Sequence, residues 1–224
     1  MILGDVIPNF SAETERGKIE SFHEWIGEGN WAILFSHPAD FTPVCTTELA
    51  RAVQLAPEFH RRRVQMIALS IDSPASHRAW INDIRSYAGG GEEAFPFPII
   101  ADEDRSLSTS LGMLDPDEIG KDGLPLSARA VFIIGPDLRL KLQILYPATT
   151  GRNFDEILRV VDSLQLTAKH KVATPVDWQP GQPCMVLPSL SAAEASSLFG
   201  DSIQKRALPS GKEYIRLTPM PLDQ

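Results

Sequence analysis

The sequence predicts an α/β fold, because apolar runs of strand length alternate along it with segments whose apolar residues recur every three or four positions. A second observation is the Gly-Pro-Asp turn at residues 135–137, which separates two apolar runs and predicts a β-hairpin. A hairpin is antiparallel, whereas strands joined through a helix are commonly parallel. We therefore expect a central sheet of mixed strand direction, flanked by helices.

The predicted elements follow one another as such a sheet requires. A strand at 33–36 precedes a helix at 46–63, in which Leu49, Val53 and Phe59 share one face. Further strands are predicted at 64–71, 97–101, 130–134 and 138–145, and further helices at 76–87 and from Asn153 onward. Gly89-Gly90-Gly91 predicts a flexible loop and not a phosphate-binding loop, since no Gly-Lys-Ser/Thr follows it.

The composition changes near the end of the helix that begins at Asn153. Beyond it, prolines separate short segments that cannot bury much surface by themselves. Strands are predicted at 186–187 and 214–217, with a helix at 192–199 between them. We therefore divide the chain into a main domain, 1–167, and a small C-terminal α+β domain, 168–224.

The composition is that of a soluble globular protein. Of the 224 residues, 43% are hydrophobic and 22% are charged, which argues against disorder. The formal net charge of -8 argues against nucleic acid as a general partner. The few residues before Gly4 are too short for a signal-peptide core, and no apolar run approaches membrane-spanning length. We expect a cytoplasmic protein without a membrane span.

Cysteine and histidine usage narrows the possible chemistry. Two cysteines, Cys45 and Cys184, are too few for a disulfide framework, and no CxxC is present to suggest a dithiol of the thioredoxin type. There is also no HExxH motif and no histidine cluster at the spacing of metal ligands. The sequence therefore predicts no metal and no cofactor.

Cys45 stands at the start of a predicted helix, directly after a predicted strand. Thr42 is placed to cap this helix with its hydroxyl, and Pro43 falls at the first helical position, where its missing N–H costs nothing. The free amides and the positive dipole end of a first turn favour a thiolate at Cys45, and the thiolate is the nucleophilic form. The alternative is a buried and inert cysteine, since buried cysteines are common.

The motif Pro38-x-x-x-Thr42-x-x-Cys45 resembles the active-site signature of the peroxiredoxins. His37 before the proline, together with segments 43–48, 145–153 and 174–178, is similar to the one-cysteine subfamily in particular. The likeness covers almost the whole chain. It implies a thioredoxin-like fold and a thiol peroxidase that reduces hydrogen peroxide, organic hydroperoxides and phospholipid hydroperoxides.

The resemblance also implies roles for the residues that match the motif. Cys45 attacks the peroxide and becomes a sulfenic acid, Arg129 lies beside the thiolate and the bound peroxide, and the Thr42 hydroxyl bridges the sulfur and the peroxide. Without the resemblance, an ordinary charge at a strand end is the favoured interpretation of Arg129, and Thr42 acts in capping alone, which is worth about 1 kcal/mol.

Three further residues support the site if the resemblance holds. Pro38 shields the thiolate from water, His37 orients the substrate or the reductant, and Arg152 stands beside the site as a second arginine. Each also has a plainer interpretation. Pro38 is a turn residue, His37 a satisfied polar neighbour, and Arg152 the partner of a surface carboxylate.

The resemblance extends to partners. With no evident resolving cysteine, the reductant is external, either glutathione or another thiol. Cys184 is expected to be buried, with a resolving role as the less favoured alternative. In the subfamily the C-terminal domain packs across a two-fold partner, so we expect a homodimer that could assemble further. Two other functions stay open on the sequence alone: a peroxide sensor or holdase chaperone that uses the same cysteine, and a dithiol exchanger.

Some one-cysteine relatives are also credited with phospholipase A2 activity, attributed to a serine, a histidine and an aspartate. His23 and Asp137 match two of these positions, but the stretch 27–31 contains no serine. Acyl transfer then lacks its attacking hydroxyl. We expect no phospholipase activity.

Overall fold

The computed structural model describes residues 1–90 and 94–222, so the predicted loop 89–91 lies only partly within the described residues. The chain forms two compact units, Met1–Phe154 and Asp155–Gln224. The division into a main domain, 1–167, and a small C-terminal domain, 168–224, stays a prediction.

The first unit contains a seven-stranded sheet with the strand order β2-β1-β5-β4-β3-β8-β9. Its elements are β1 (Ala12–Thr14), β2 (Gly17–Ile19), α1 (Phe22–Ile26), β3 (Trp31–Ser36), α2 (Pro43–Arg61), β4 (Val64–Ser70), α3 (Pro74–Tyr87), β5 (Ile99–Ala101), α4 (Ser106–Leu111), β6 (Leu114–Ile119), β7 (Pro125–Ser127), β8 (Arg129–Ile134) and β9 (Leu140–Tyr146). Strands β3, β4 and β5 are parallel, and the other pairs are antiparallel. The predicted mixed sheet and the β8–β9 hairpin are therefore confirmed.

Several predicted boundaries move by two or three residues, and two of these shifts have a clear local reason. Helix α3 begins at Pro74 because the Ser73 side chain accepts from the backbone N–H of Ser76 and so caps the helix. Strand β5 begins at Ile99, directly after Pro98, which has no N–H to donate to a neighbouring strand. The hairpins β1–β2 and β6–β7 and the helices α1 and α4 were not predicted, since their few residues show no clear periodicity.

Strands β3 and β8 lie inside the sheet, with a paired strand on each side, and their burial explains why both were predicted from the sequence. Every residue of both strands is buried, so both read as continuous apolar runs without alternation. Strand β3 runs parallel to β4 and antiparallel to β8, with Phe35 opposite Val131. The residue that opens β8, Arg129, therefore lies at the edge of the sheet where β3 and β4 end.

The second unit begins within a long helix and continues into a small antiparallel sheet of order β10-β11-β13-β12. Its elements are α5 (Phe154–Lys169), β10 (Val172–Ala173), β11 (Cys184–Val186), α6 (Ala192–Phe199), a 3-10 turn (Gly200–Ser202), β12 (Gln204–Lys205) and β13 (Arg216–Thr218). Helix α6 has the predicted bounds, and Ser191 and Glu194 form a capping box at its start. Among the described residues, no helix combines the length and apolarity needed to cross a membrane.

Candidate active site

Cys45 is the third residue of α2, directly after the loop that leaves the end of β3. Pro43 occupies the first helical position, as predicted. The whole Cys45 residue is buried. A buried thiolate needs a positive neighbour, because removal from water penalises the charged form.

Thr42 holds the N-cap position by its backbone, but the predicted hydroxyl cap is wrong. Its side chain makes no capping hydrogen bond, and Oγ1 instead donates to the carbonyl oxygen of Ala39 at 2.9 Å. The first turn is closed by the Thr46 backbone N–H, which donates to the Thr42 carbonyl oxygen at 3.0 Å, and Thr46 Oγ1 donates to the same oxygen at 2.8 Å. The Thr42 hydroxyl is thus committed as a donor, and its oxygen lone pairs are not used by the helix.

Arg129 places its guanidinium beside the cysteine. Nη1 lies 3.4 Å from Cys45 Sγ and 2.7 Å from Glu48 Oε2. Nε and Nη2 both donate to the carbonyl oxygen of Ala148, at 2.8 Å and 2.6 Å. Because several donors are fixed at once, the planar fork has a single orientation and directs one nitrogen at the sulfur. The contact implied by the resemblance is present, while its role in catalysis stays a prediction.

Glu48 is the carboxylate that holds the arginines, and the sequence analysis missed it. It lies on α2 three residues after Cys45, is 3% exposed and accepts from both Arg129 and Arg152. Burial would raise the pKa of Glu48, but the charge and hydrogen bonds of Arg152 and the charge of Arg129 outweigh burial and lower that pKa. Glu48 is therefore a carboxylate between two cations.

Arg152 pairs with this buried carboxylate and not with a surface one. Its Nε donates to Glu48 Oε1 at 3.0 Å, its Nη2 to Oε2 at 2.8 Å, and its backbone N–H to Oε1 at 2.6 Å. Nη1 donates to the Ala130 carbonyl oxygen at 2.6 Å. The guanidinium also lies 5.9 Å from the ring centre of Phe35 and 5.7 Å from that of Phe154, within cation–π range. Arg152 thus contacts Glu48, which Arg129 also contacts, and the strand that carries Arg129.

His37 and Pro38 are both buried in the loop between β3 and α2. His37 Nε2 lies 3.0 Å from Asp40 Oδ1, and its Nδ1 has no hydrogen-bond partner within the part of the chain that the structure describes. Its ring stacks obliquely on Trp80, with 5.1 Å between the ring centres. His37 is therefore not a fully satisfied polar neighbour, because one of its two ring nitrogens is left open.

One group of side chains at the same loop has the composition of a metal-binding site. Ligand atoms of His37, Asp40 and Asp72 lie within 4.8 Å of one another, the one grouping of this kind among residues 1–90 and 94–222. Asp40 already accepts from His37, His77 and Ser76, and Asp72 Oδ2 accepts from the Asp40 backbone N–H and from Ser70 Oγ. The carboxylate oxygens Asp40 Oδ1, Asp40 Oδ2 and Asp72 Oδ2 thus already accept hydrogen bonds, which disfavours a cation among them. The prediction that the protein needs no metal or cofactor stays a prediction.

The chain is similar to known proteins over almost its whole length. Residues 3–143 match the model of the AhpC/TSA family, and residues 163–201 match that of the C-terminal domain of 1-Cys peroxiredoxin. Peroxiredoxin-6 of Gallus gallus is 64% identical over 99% of this chain and 98% of its own length. A crystal structure of a cysteine-to-serine mutant of the peroxiredoxin 6 of Arenicola marina has a TM-score of 0.96 and 57% identity, with all of both chains covered.

A second solved structure is more distant. It describes the thiol resolving mechanism of a yeast mitochondrial 1-Cys peroxiredoxin via glutathione and thioredoxin systems, and has a TM-score of 0.85, 40% identity and coverage of 98% and 99%. These relatives favour an enzyme over a sensor or holdase chaperone. With a sulfur, a guanidinium and a buried carboxylate assembled at the end of β3, the chain belongs to the 1-Cys peroxiredoxin family and is a thiol peroxidase of thioredoxin-like fold.

Proposed function

We propose that Cys45 is the nucleophile of this peroxidase and that Arg129 and Thr42 bind the hydroperoxide beside it. The observation that carries the proposal is the 3.4 Å separation between Arg129 Nη1 and Cys45 Sγ inside a buried site. A guanidinium is always cationic, so it stabilises the thiolate without taking part in proton transfer.

The reaction is a displacement at oxygen. The Cys45 thiolate attacks the terminal oxygen of a hydroperoxide, an S–O bond forms and the O–O bond breaks. Sulfur loses two electrons, and the peroxide gains them. The leaving oxygen departs with the bonding pair, takes up one proton and becomes water or an alcohol, while Cys45 remains as the sulfenic acid.

Arg129 and Thr42 offer complementary hydrogen-bonding groups to the substrate. Arg129 can only donate, which suits the oxygen that gains negative charge as the O–O bond breaks. Thr42 Oγ1 already spends its proton on the Ala39 carbonyl oxygen, so toward a substrate it can only accept, which suits the O–H of a hydroperoxide. Together they would orient a hydroperoxide and align its O–O bond with the sulfur.

The substrates proposed are hydrogen peroxide and alkyl hydroperoxides, and the class extends to phospholipid hydroperoxides. The reductant proposed is an external thiol such as glutathione, in line with the yeast relative named above. Cys184 is a poor resolving thiol, since it is buried in the second unit and burial raises its pKa.

One stopped-flow experiment tests the nucleophile and the second cysteine together. We expect reduced wild type and Cys184→Ser to react rapidly with hydrogen peroxide and tert-butyl hydroperoxide. Cys45→Ser should react no faster than free thiols in solution. A fast reaction in Cys45→Ser, or an intramolecular Cys45–Cys184 disulfide detected by mass spectrometry after one equivalent of peroxide, would contradict the proposal.

We also propose that the protein works as a homodimer in the cytoplasm. The C-terminal domain match supports this, because in the resembling subfamily that domain packs across a two-fold partner. Light scattering over a concentration series measures the assembly, and a monomer at every working concentration would refute it. Fractionation of source cells tests the location.

Phospholipase activity is not part of the proposal. His23 Nε2 lies 2.8 Å from the Ile7 carbonyl oxygen, and the Asp137 carboxylate accepts from Lys141 Nζ at 2.5 Å and from the Arg139 backbone N–H at 3.2 Å. The contacts of His23 and Asp137 are therefore with these groups and not with each other. Fatty-acid release by purified protein that persists in Cys45→Ser would show this expectation to be wrong.

A further inference from the structure

The backbone pairing between β3 and β8 stops one residue before β3 ends. Its last residue pair is Phe35 opposite Val131. The same register would place Ser36, the final residue of β3, opposite Ala130. The start of β8, which carries Arg129, is therefore held to β3 by something other than a backbone ladder.

The Ser36 hydroxyl takes the place of that ladder. Its Oγ donates to the Ala128 carbonyl oxygen at 2.7 Å and accepts from the Ala130 backbone N–H at 3.1 Å. Ser36, Ala128 and Ala130 are all buried, with at most 3% of their surface exposed. Because buried backbone groups need hydrogen-bond partners, one side chain here satisfies two of them at once.

Arg129 is the residue between these two contacts. Its Nη1 lies 3.4 Å from Cys45 Sγ, and its Nε and Nη2 donate to the Ala148 carbonyl oxygen. The guanidinium stands at the far end of a long side chain, so a small shift of the backbone at Arg129 moves it away from the sulfur. A misplacement of about 1 Å at a reacting centre can cost about 10²-fold in rate.

Other contacts anchor the same short stretch of backbone. Arg152 Nη1 donates to the Ala130 carbonyl oxygen at 2.6 Å, and the Ala128 N–H donates to the Met113 carbonyl oxygen at 2.7 Å. Each of these two contacts holds one side of Arg129. The Ser36 hydroxyl holds both sides, and it does so from the strand that leads to the Cys45 helix.

We propose that Ser36 is a positioning residue of the peroxidase: by bonding to the backbone on each side of Arg129, its hydroxyl fixes the point from which the guanidinium meets the Cys45 sulfur and a hydroperoxide. The inference rests on the role proposed above for Arg129. Hydrogen-bond donors stabilise a transition state best when they are fixed in place beforehand. Loss of the hydroxyl leaves two buried backbone groups without this partner, so the start of β8 moves to recover hydrogen bonds.

Thr14 provides a matched control, because its hydroxyl makes the same two kinds of hydrogen bond elsewhere in the sheet. Thr14 Oγ1 donates to the Gly17 carbonyl oxygen at 2.7 Å and accepts from the Arg16 backbone N–H at 3.1 Å. Thr14 is 3% exposed and lies on β1, which is separated from β3 by β5 and β4. Ser36→Ala and Thr14→Val therefore each remove one buried hydroxyl that bonds to two backbone groups.

The first test is stopped-flow kinetics with hydrogen peroxide. Ser36→Ala should lower the second-order rate constant by about tenfold to a hundredfold, whereas Thr14→Val should keep the wild-type value. Ser36→Cys, in which a weakly hydrogen-bonding thiol replaces the hydroxyl, should be slowed as well and serves if Ser36→Ala does not fold. A wild-type rate constant in a folded Ser36 variant, or equal slowing in Thr14→Val, overturns the proposal.

The second test asks whether Ser36 acts through Arg129. In the Arg129→Lys background the guanidinium is already lost, so Ser36→Ala should slow the reaction no further. If Ser36→Ala slows the reaction by the same factor in both backgrounds, the hydroxyl acts on another group and the proposal is wrong.

The third test is a spectroscopic signature of the guanidinium. The Arg129 Nε–H donates to the Ala148 carbonyl oxygen at 2.8 Å, so nitrogen NMR of reduced wild type should show a slowly exchanging Arg129 Nε–H resonance. We expect this resonance to shift and to exchange faster in Ser36→Ala, and to stay unchanged in Thr14→Val. An unchanged Arg129 resonance in Ser36→Ala contradicts a positioning role.

The outcomes also separate this inference from the function on which it rests. A wild-type rate constant in Arg129→Lys would refute the role proposed for Arg129, and the inference with it. A slow Arg129→Lys together with a wild-type rate constant in Ser36→Ala would refute the inference alone.

Discussion

The two cysteines of this chain are equally buried, yet their surroundings differ in charge. Cys45 Sγ lies 3.4 Å from the Arg129 guanidinium. Cys184 lies in the small sheet of the second unit, where it clusters with Val172 and Trp178, and its Sγ is 3.8 Å from the Gln182 carbonyl oxygen. Burial raises the pKa of Cys184, against a weaker opposite effect of Trp178.

The comparison shows that burial alone does not decide what a thiol does. Removal from water disfavours a thiolate, and a nearby positive charge opposes that effect. A buried arginine is itself unstable without a counter-charge, so a site of the Cys45 type also needs Glu48. The following predictions test this difference between the two cysteines.

Loss of the guanidinium fork should have the largest effect. Arg129→Lys keeps a charge but cannot hold the Ala148 carbonyl and the sulfur at once, so we expect the rate constant with hydrogen peroxide to fall about 10²- to 10³-fold. Stopped-flow kinetics measures it. Arg105→Lys is the matched control, because Arg105 also holds a carbonyl and a carboxylate but contacts neither cysteine. A wild-type rate constant in Arg129→Lys would show that the Arg129 guanidinium is not what distinguishes Cys45 from Cys184.

Glu48→Gln should reduce both stability and its dependence on pH. We expect the free energy of unfolding at neutral pH to fall by about 3 to 5 kcal/mol, since two buried arginines lose their shared counter-charge. In the folded state, and against the effect of burial, the charge and hydrogen bonds of Arg152 hold the pKa of Glu48 below its usual value. Its stabilisation is therefore complete above the unfolded pKa and is lost as pH falls through the folded pKa.

Urea unfolding between about pH 6 and pH 3 checks this sign. Wild type should lose stability on acidification more steeply than Glu48→Gln, because the variant has no carboxylate at that position to protonate. Parallel curves for the two proteins would mean that Glu48 contributes no pH-dependent stability.

Thr42 should show a smaller, graded effect. Thr42→Val removes the acceptor proposed for the hydroperoxide, so the rate constant should fall about tenfold, the equivalent of one hydrogen bond. Thr42→Ser keeps the hydroxyl and should stay near wild type. Equal rate constants for Thr42→Val and Thr42→Ser would show that the Thr42 hydroxyl has no role in the reaction beyond its hydrogen bond to the Ala39 carbonyl oxygen.

Cys184→Ser should have the smallest effect on catalysis. The rate constant should equal that of wild type, because no cation lies beside this sulfur among the contacts of the described residues. The unfolding free energy should fall by about 1 kcal/mol, because a hydroxyl replaces a buried thiol. A clear loss of peroxidase rate would show that the two cysteines cooperate.

Much of the fold was predictable because it depends on local free energies. The unbroken apolar runs of β3 and β8, the helical spacing in α2 and the start of α6 are each set by residues within one element. The third-residue position of Cys45 follows in the same way from Pro43 at the first helical position. Glu48 could have been found as well, since it lies one helical turn from Cys45.

Other features depended on contacts between distant segments. Arg129 is 84 positions from Cys45, and only the pairing of β3 with β8 brings its guanidinium to the sulfur. The resemblance implied that contact, whereas spacing alone did not. The contacts of His77 with Asp40 and with the Ile100 carbonyl oxygen likewise need α3 and β5 to approach the loop before α2.

By itself, then, the sequence determined the order of the longer strands and helices, the placement of Cys45 at a helix start and the family. The tertiary structure decided which charges are buried together, which nitrogen of His37 stays open and that the Thr42 hydroxyl binds Ala39 instead of capping the helix. The physical reason is that propensity and periodicity act within one element. The energy of a buried charge depends on every group the fold brings within a few ångströms of it.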